Sequence, residues 1–141
     1  MRILLQSPCN DLQESLQQYL ELFGHQVKVI DNLTSALSMY TIFDAELLIS
    51  EYDSDNPDYV KLFKRIHATN SFTKIIVLTC NALSVDEVAE LTNIGVYCVF
   101  KKPIDPEIIK NTIDVFEADH KSVSSLTKQT LIPNLFTNNR V

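Results

Sequence analysis

Two carboxylates in the middle of the sequence are the side chains best placed to do chemistry. The apolar run 47–49 leads through Ser50 into Glu51, and Asp53 follows two residues later. A short apolar run of this kind is typical of a buried strand in a parallel sheet. Sites in open α/β sheets are built at the carboxyl ends of the strands. We therefore expect Glu51 and Asp53 at the edge of the sheet where a site would form.

Two more polar side chains follow later apolar runs. Thr79 ends the run that begins at Lys74, and Lys102 comes shortly after Phe100. Because parallel strands end at the same edge of a sheet, these side chains are predicted to lie near the carboxylates. Lys102 could neutralise the acidic strand ends without doing any chemistry. A threonine at a strand end is ordinary, so Thr79 by itself indicates little.

Five strand-like runs alternate with five helical patterns, and this order predicts the fold. The predicted strands are 2–6, 25–30, 46–50, 74–79 and 96–100. Helix signals lie between them: apolar stripes, an Asn10 cap, a Ser84–Glu87 capping box, and closing glycines. Strands that alternate with helices predict a parallel sheet covered on both faces, with right-handed crossovers. The expected fold is flavodoxin-like α/β, a doubly wound five-stranded sheet of order 2-1-3-4-5.

Composition narrows the class of protein. The chain has 141 residues, 45% hydrophobic residues and a net charge of −6, which favour one soluble domain without a nucleic-acid surface. No apolar run approaches the roughly 20 residues that span a bilayer. Three cysteines, an odd number, suggest reduced thiols in a cytoplasmic protein. Scattered histidines and only two glycines give no metal motif and no glycine-rich phosphate loop, so no cofactor is expected.

The end of the chain differs in composition from the rest. Residues 122–141 are rich in Ser, Thr and Asn and include Pro133. The last helical pattern, which opens at Pro106, fades between residues 118 and 121. The sequence therefore predicts one domain over residues 1–121 and a flexible tail or linker over residues 122–141.

Three local stretches carry a resemblance to a known family. They are 46–51, Glu-Leu-Leu-Ile-Ser-Glu; 77–79, Val-Leu-Thr; and the pair Lys102-Pro103. In this order, with Gly24-His25-Gln26-Val27 opening the second strand, they resemble the receiver domain of bacterial two-component response regulators, over residues 1–121. The resemblance makes Glu51 the equivalent of the phosphorylated aspartate, Thr79 of the switch hydroxyl, and Lys102 of the conserved lysine. It implies a cytoplasmic signalling module and not an enzyme in its own right.

The sequence departs from that family at its functional positions. The acidic pair that holds Mg²⁺ after the first strand corresponds here to Ser7 and Pro8. Mg²⁺ prefers carboxylate and water oxygens, so tight binding of the metal is not expected. The acceptor position is Glu51, one methylene longer than aspartate. Val99 stands where the family has a Tyr or Phe whose ring moves on activation, and valine cannot act as a ring switch.

These departures leave three interpretations open. An ion pair between Glu51 and Lys102 could imitate the phosphorylated state permanently. Glu51 could instead be an inert remnant with Lys102 as its counter-ion. The alternative is a phospho-accepting response regulator that takes phosphoryl from a histidine kinase onto Glu51, or onto Asp53 as a displaced acceptor. A flavin-binding protein of similar fold is disfavoured, because no phosphate loop follows the first strand.

The favoured hypothesis is an atypical receiver that is not phosphorylated and acts by protein–protein interaction. The resemblance implies a partner surface on the fourth helix, fifth strand and fifth helix, which family members use for dimers and output. The candidate residues on that surface are Val85, Glu87, Glu90, Asn93, Tyr97 and Lys101. The expected partner is a kinase, an output domain, a scaffold or a second copy of the chain, with no nucleic acid and no membrane.

Overall fold

Five strands and five helices alternate along the chain. The computed structural model describes residues 1–129, with side chains up to residue 119. The strands are β1 Arg2–Gln6, β2 Gln26–Ile30, β3 Leu47–Tyr52, β4 Lys74–Thr79 and β5 Cys98–Lys101. The helices are α1 Asn10–Leu22, α2 Ala36–Phe43, α3 Pro57–Thr69, α4 Val85–Asn93 and α5 Pro106–Gln129.

The strands form one parallel sheet in the order β2-β1-β3-β4-β5. This order and the alternation of strands with helices confirm the flavodoxin-like fold predicted from the sequence. β3 is the central strand, and all six of its residues are buried. It reads as a nearly continuous apolar run because strands of a parallel sheet are covered on both faces.

Residues up to Ile104 form one compact unit, which contains the whole sheet and the helices α1 to α4. One apolar cluster of this unit joins the sheet to α3 and α4, with Leu48 and Val77 on the strands and Phe63 and Leu91 on the helices. These four side chains are fully buried. Burying apolar surface of this kind is the main term that stabilises a fold.

The described residues from Asp105 to Gln129 belong to a second compact unit, which contains α5. Ile109, Ile113 and Phe116 recur along α5 at helical spacing, and Lys110 pairs with Asp114 at 2.8 Å. The helix continues to Gln129, so the predicted end between residues 118 and 121 is wrong. No glycine or proline lies within residues 107–129, so no residue breaks the helix there. The predicted tail beyond residue 129 lies outside the described residues.

The largest differences from the predicted strand ends are in β3 and β5. β3 continues through Glu51 and Tyr52, because these residues pair with Leu78 and Thr79 of β4. Glu51 therefore lies within the strand and not after it. β5 begins at Cys98, two residues later than predicted.

The helix ends are partly as predicted. The capping box of Ser84 and Glu87 is present at α4, and α5 begins at Pro106. The residue before α1 is Cys9 without a side-chain cap, so the predicted Asn10 cap is wrong. Gly24 follows α1 with a φ of 88°, a conformation that favours glycine. No helix in the described part of the chain is long and apolar enough to cross a membrane.

Candidate functional site

The sheet brings the predicted site residues to one edge. Ser7 directly follows β1, whose last residue pairs with Ser50 of β3. Glu51 lies one residue further along β3, and Thr79 ends β4. Thr79 in turn pairs with Lys101 of β5, which places Lys102 just past the strand end. Parallel pairing therefore gathers side chains that are far apart in sequence.

Both carboxylate oxygens of Glu51 bind donors from the protein. The Lys102 ammonium lies 2.5 Å from Oε1, and the Ser7 hydroxyl donates to Oε2 at 2.8 Å. Glu51 is 7% exposed, so the charge is almost removed from water. A buried carboxylate is costly unless it is paired and hydrogen-bonded, and both conditions are met here. The geometry describes an anion that the protein itself neutralises.

Ser7 is held in the orientation that this hydrogen bond needs. It is fully buried, and its N–H donates to the carbonyl of Ile30 at 3.0 Å. Its Oγ accepts the N–H of Cys9 at 3.1 Å, and its carbonyl accepts the side-chain amide of Gln13. With the lone pairs of Oγ partly used by Cys9, the hydroxyl proton is available for Glu51.

Lys102 is fixed from its backbone as well as its head group. Its N–H donates to the carbonyl of Thr79 at 2.8 Å, and the peptide bond to Pro103 is cis. Burial acts to lower the pKa of Lys102, but the hydrogen bond and charge of Glu51, with a smaller contribution from Cys80, outweigh it and raise the pKa. Lys102 is therefore held as a cation beside Glu51.

Thr79 and Val99, which with Lys102 were predicted as switch-equivalent residues, make the following contacts. Thr79 is buried, and its hydroxyl donates to the carbonyl of Asn81 at 3.1 Å and accepts the N–H of Asn81 at 3.3 Å. The hydroxyl therefore shapes the turn after β4. Val99 is half-buried and packs against the apolar cluster described above. A β-branched side chain at that position has few rotamers.

Asp53 lies in the turn after β3 and is exposed. Its Oδ1 accepts the N–H of Asp55 at 2.9 Å, and its carbonyl accepts the N–H of Asn56 at 3.0 Å. A carboxylate that bonds the backbone two residues on is the ordinary behaviour of aspartate in a turn. Asp53 is brought near the edge but does not share the donors of Glu51.

An aromatic cluster beside the carboxylates was missed by sequence reasoning. The rings of Tyr52 and Tyr59 meet edge to face at 5.9 Å, and Tyr52 lies 6.4 Å from Phe63. Burial raises the pKa of Tyr59, with the charges of Glu51 and Asp53 adding to it and that of Lys102 opposing it. Nothing in the sequence indicated that Tyr59 lies beside the site.

Tyr52 connects the same edge to α4. Burial raises the pKa of Tyr52, and the charges of Glu87, Glu90 and Asp53 raise it further. Glu87 and Glu90 belong to α4, so the ring of Tyr52 lies within the field of that helix. The ring itself packs against Tyr59 and Phe63 of α3.

The donors at this edge do not fit a tight Mg²⁺ site. Ser7 offers one neutral oxygen, and Pro8 offers neither a side-chain ligand nor an N–H. Asp11, the nearest acidic residue in sequence, is exposed in the first turn of α1. Within residues 1–119, no group of three or more His, Cys, Asp or Glu side chains could hold a metal ion. Mg²⁺ requires hard oxygen ligands in near-octahedral geometry, which this set does not supply.

The predicted partner-surface residues lie on α4, on β5 and just before β5. Val85 is 84% exposed and Tyr97 is 48% exposed, while Glu87 is half-buried in the capping box. The ammonium of Lys74 lies 5.3 Å from the ring centre of Tyr97. The remaining members of the set are also exposed: Glu90, Asn93 and Lys101.

Comparison with solved structures finds the same fold in bacterial signalling proteins. The chemotaxis protein CheY4 of Vibrio cholerae superposes with a TM-score of 0.72 at 19% identity, over 82% of this chain and 97% of that one. A two-component response regulator from Clostridium difficile gives 0.74 at 21%, over 84% and 96%. HP1043, an orphan response regulator of H. pylori, gives 0.73 at 18%, over 82% and 95%. At these identities the likeness shows the fold alone.

The sequence comparisons decide the family. No curated protein sequence matches the chain. The profile of the response regulator receiver domain matches residues 9–114, which is well over half of the chain. With the sheet order and the edge site that the structure describes, the match leads to one conclusion: this chain belongs to the response regulator receiver domain family, the CheY-like modules of two-component signal transduction.

Proposed function

We propose that this chain is an atypical receiver that signals through protein contacts without being phosphorylated. The observation that carries the proposal is that side chains of the protein bind both carboxylate oxygens of Glu51. Lys102 binds one carboxylate oxygen at 2.5 Å, and Ser7 donates to the other at 2.8 Å. The serine stands where the resemblance implies a metal-binding carboxylate, and it supplies a proton donor instead of a metal ligand.

Phosphoryl transfer onto a carboxylate needs an accessible nucleophilic oxygen and neutralisation of the charge on the moving group. Glu51 is 7% exposed, with both oxygens bound by the protein. Lys102 remains as a cation, but Ser7 and Pro8 give no carboxylate for a metal. The burial of Glu51 and the missing carboxylates oppose transfer, and together they support a receiver that does not take phosphoryl at this position.

The ion pair also supports a fixed signalling state. The resemblance implies that the lysine of a receiver contacts the acceptor carboxylate or its phosphoryl group. Here the added methylene of Glu51 extends an anion toward Lys102, and Ser7 holds its second oxygen. Tyr52, the residue after Glu51, lies in the electrostatic field of Glu87 and Glu90 of α4. We propose that the pair imitates the phosphorylated form.

The partner surface follows from this proposal. We propose that a kinase, an output domain, a scaffold or a second copy of the chain binds through α4 and β5. Val85, at 84% exposed, supplies an apolar contact, with Tyr97 at 48% exposed just before β5 and the charged Lys101 at the end of β5. Apolar and aromatic side chains at the centre with charges at the rim are typical of protein interfaces. A cytoplasmic location belongs to the same proposal, since the cysteines are free thiols.

Phosphorylation is tested by incubating the full chain with acetyl phosphate and Mg²⁺ and reading the intact mass. We expect no adduct. An adduct of one phosphoryl group that is lost in Glu51→Ala or in Asp53→Ala would overturn the proposal and identify the acceptor. Because Asp53 is exposed and Glu51 is buried, the two variants also separate a displaced acceptor from the original position.

A rebuilt site provides the matching positive control. The triple variant Ser7→Asp, Pro8→Asp and Glu51→Asp restores the acidic pair and the acceptor that the resemblance implies. We expect it to gain an adduct of one phosphoryl group under the same conditions. If the triple variant stays unmodified while it folds, these three positions do not explain the loss of phosphorylation.

The permanent state is tested separately with Glu51→Gln, which keeps the shape and removes the charge. We expect the amide resonances of α4 and β5 to shift in a nuclear magnetic resonance spectrum, because the fixed pair biases that surface. Shifts confined to the immediate neighbours of residue 51 would leave Glu51 as an inert remnant.

A further inference from the structure

The proposed function does not involve the groove that lies between α2 and α3. It has a volume of about 310 Å³, and its apolar part is formed by Leu33, Leu37 and Leu62. Leu62 is buried, while Leu33 and Leu37 are half-buried and so still reach solvent. An apolar depression of this kind can accept the side chains of a partner.

One wall of the groove is basic. Lys61 and Arg65 lie four residues apart on α3, so they project from the same face of the helix, and both line the groove. The only anion in the lining is Asp58, which lies 3.9 Å from Lys61. Their side chains are 65% and 74% exposed, so this pair is weak and Lys61 can exchange it for another anion.

The charge of α3 contrasts with that of the whole chain. The helix carries three cations, Lys61, Lys64 and Arg65, against the single anion Asp58. The chain as a whole has a net charge of −6. An acidic segment would therefore be repelled by the protein as a whole and attracted at this wall, which gives orientation as well as affinity.

We propose that the groove between α2 and α3 binds a short acidic amphipathic helix of a partner protein. Leucine-like side chains one helical turn apart enter between Leu33, Leu37 and Leu62, and glutamate or aspartate side chains pair with Lys61 and Arg65. This is the helix-in-groove mode, in which apolar anchors give affinity and flanking charges give specificity. The inference does not depend on the phosphorylation of Glu51.

The test uses the full chain, labelled with ¹⁵N, and a synthetic helical peptide with leucines at i and i+4 and glutamates beside them. Amide shifts should cluster around residues 33–37 and 61–65 and should weaken as salt is raised, because the charge pairs are exposed. A peptide with lysine in place of glutamate should not bind. Shifts centred on α4, or no shifts with the acidic peptide, would overturn the proposal.

Two neighbouring residues offer a matched pair of variants. Arg65 and Lys64 are adjacent, exposed and equally charged, but only Arg65 lines the groove. Arg65→Glu should weaken binding of the acidic peptide on the order of fivefold, since it turns an attraction into a repulsion. Lys64→Glu makes the same change in net charge and should weaken binding less than about twofold. Equal losses would mean unspecific attraction to a basic helix.

A nucleic acid is the other anion that a basic wall could attract. The same titration with a single-stranded oligonucleotide should leave the amides of residues 33–37 unshifted, because phosphates do not bind the leucine side chains of the groove. Stronger binding of the oligonucleotide than of the acidic peptide would contradict the inference.

Discussion

The ion pair of Glu51 and Lys102 can be broken in a way that measures what it contributes to stability. Lys102→Met removes the ammonium and keeps a side chain of similar length and apolar character. Glu51, 7% exposed, then keeps only the hydroxyl of Ser7 as a side-chain donor. The variant therefore leaves a nearly buried charge without its counter-ion, which is the costly outcome.

The size of the loss follows from the burial of the two partners. Removing one partner of a fully buried pair costs about 3–5 kcal/mol. The side chains of Lys102 and Glu51 are 20% and 9% exposed, so water screens part of the lost attraction. We expect Lys102→Met to lower the free energy of unfolding at neutral pH by about 2–3 kcal/mol.

A double-mutant cycle separates the pair from the other effects of the substitutions. Glu51→Gln combined with Lys102→Met removes both charges, so no uncompensated charge remains buried. We expect the double variant to be more stable than Lys102→Met alone, with a coupling energy of about 1–2 kcal/mol. The measurement is urea-induced unfolding followed by circular dichroism at neutral pH.

Lys101 supplies the control. It is the neighbour of Lys102 and is exposed, and Lys101→Met makes the same chemical change. We expect it to alter the free energy of unfolding by no more than about 0.5 kcal/mol. If Lys102→Met costs no more than Lys101→Met, or if the losses of the cycle simply add, the pair is a screened surface contact and the reasoning about a fixed site fails.

Three further outcomes follow from the same geometry. Ser7→Ala removes the donor to Oε2 of Glu51 and should cost about 1–2 kcal/mol in urea unfolding, whereas no loss would mean that the hydroxyl is not needed. The raised pKa of Lys102 adds stability that is complete below the ordinary lysine pKa of about 10.4 and is lost as pH rises through the folded-state value. The urea midpoint should thus fall more steeply with alkaline pH in the wild type than in Lys102→Arg, which stays charged; parallel curves would contradict this. Burial raises the pKa of Cys98 to about 11, so its thiolate fraction near pH 8 is about a hundredfold below that of an ordinary thiol. In a thiol titration with an aromatic disulfide, Cys98 should react last, after a fast phase from the exposed cysteines. The Cys98→Ser variant should therefore keep the whole fast phase. A smaller fast phase in this variant would refute the assignment.

The fold was predictable because its signals are local. The apolar run that became β3, the capping box at Ser84 and the glycine after α1 each act over a few residues, and their order implies a parallel sheet. Element ends were less predictable. Glu51 and Tyr52 belong to β3 only because β4 pairs with them, and this pairing is not a property of either stretch alone. α5 runs past the predicted end because weak helix formers continue a helix when no breaker intervenes.

The identity of the site residues was contained in the sequence. The order of Glu51, Thr79 and Lys102 indicated the receiver fold through the resemblance, which also places Ser7 and Pro8 at the positions of the acidic pair. Whether a residue can belong to this site depends on its type and on the strand that it follows. Parallel strands bring those positions to one edge whatever the details of packing.

Only the tertiary structure decided what these residues do to one another. Ser7 donates to Glu51 across 44 residues of chain, and Lys102 binds it across 51. In the sequence, Ser7 indicated only that a metal-binding carboxylate is absent at that position. In the structure, its hydroxyl donates a hydrogen bond to the second carboxylate oxygen of Glu51. The basic groove between α2 and α3 is likewise visible only in the tertiary structure. Contacts of this kind depend on strand register, burial and side-chain direction, which are set when the whole chain packs and not by any stretch of it.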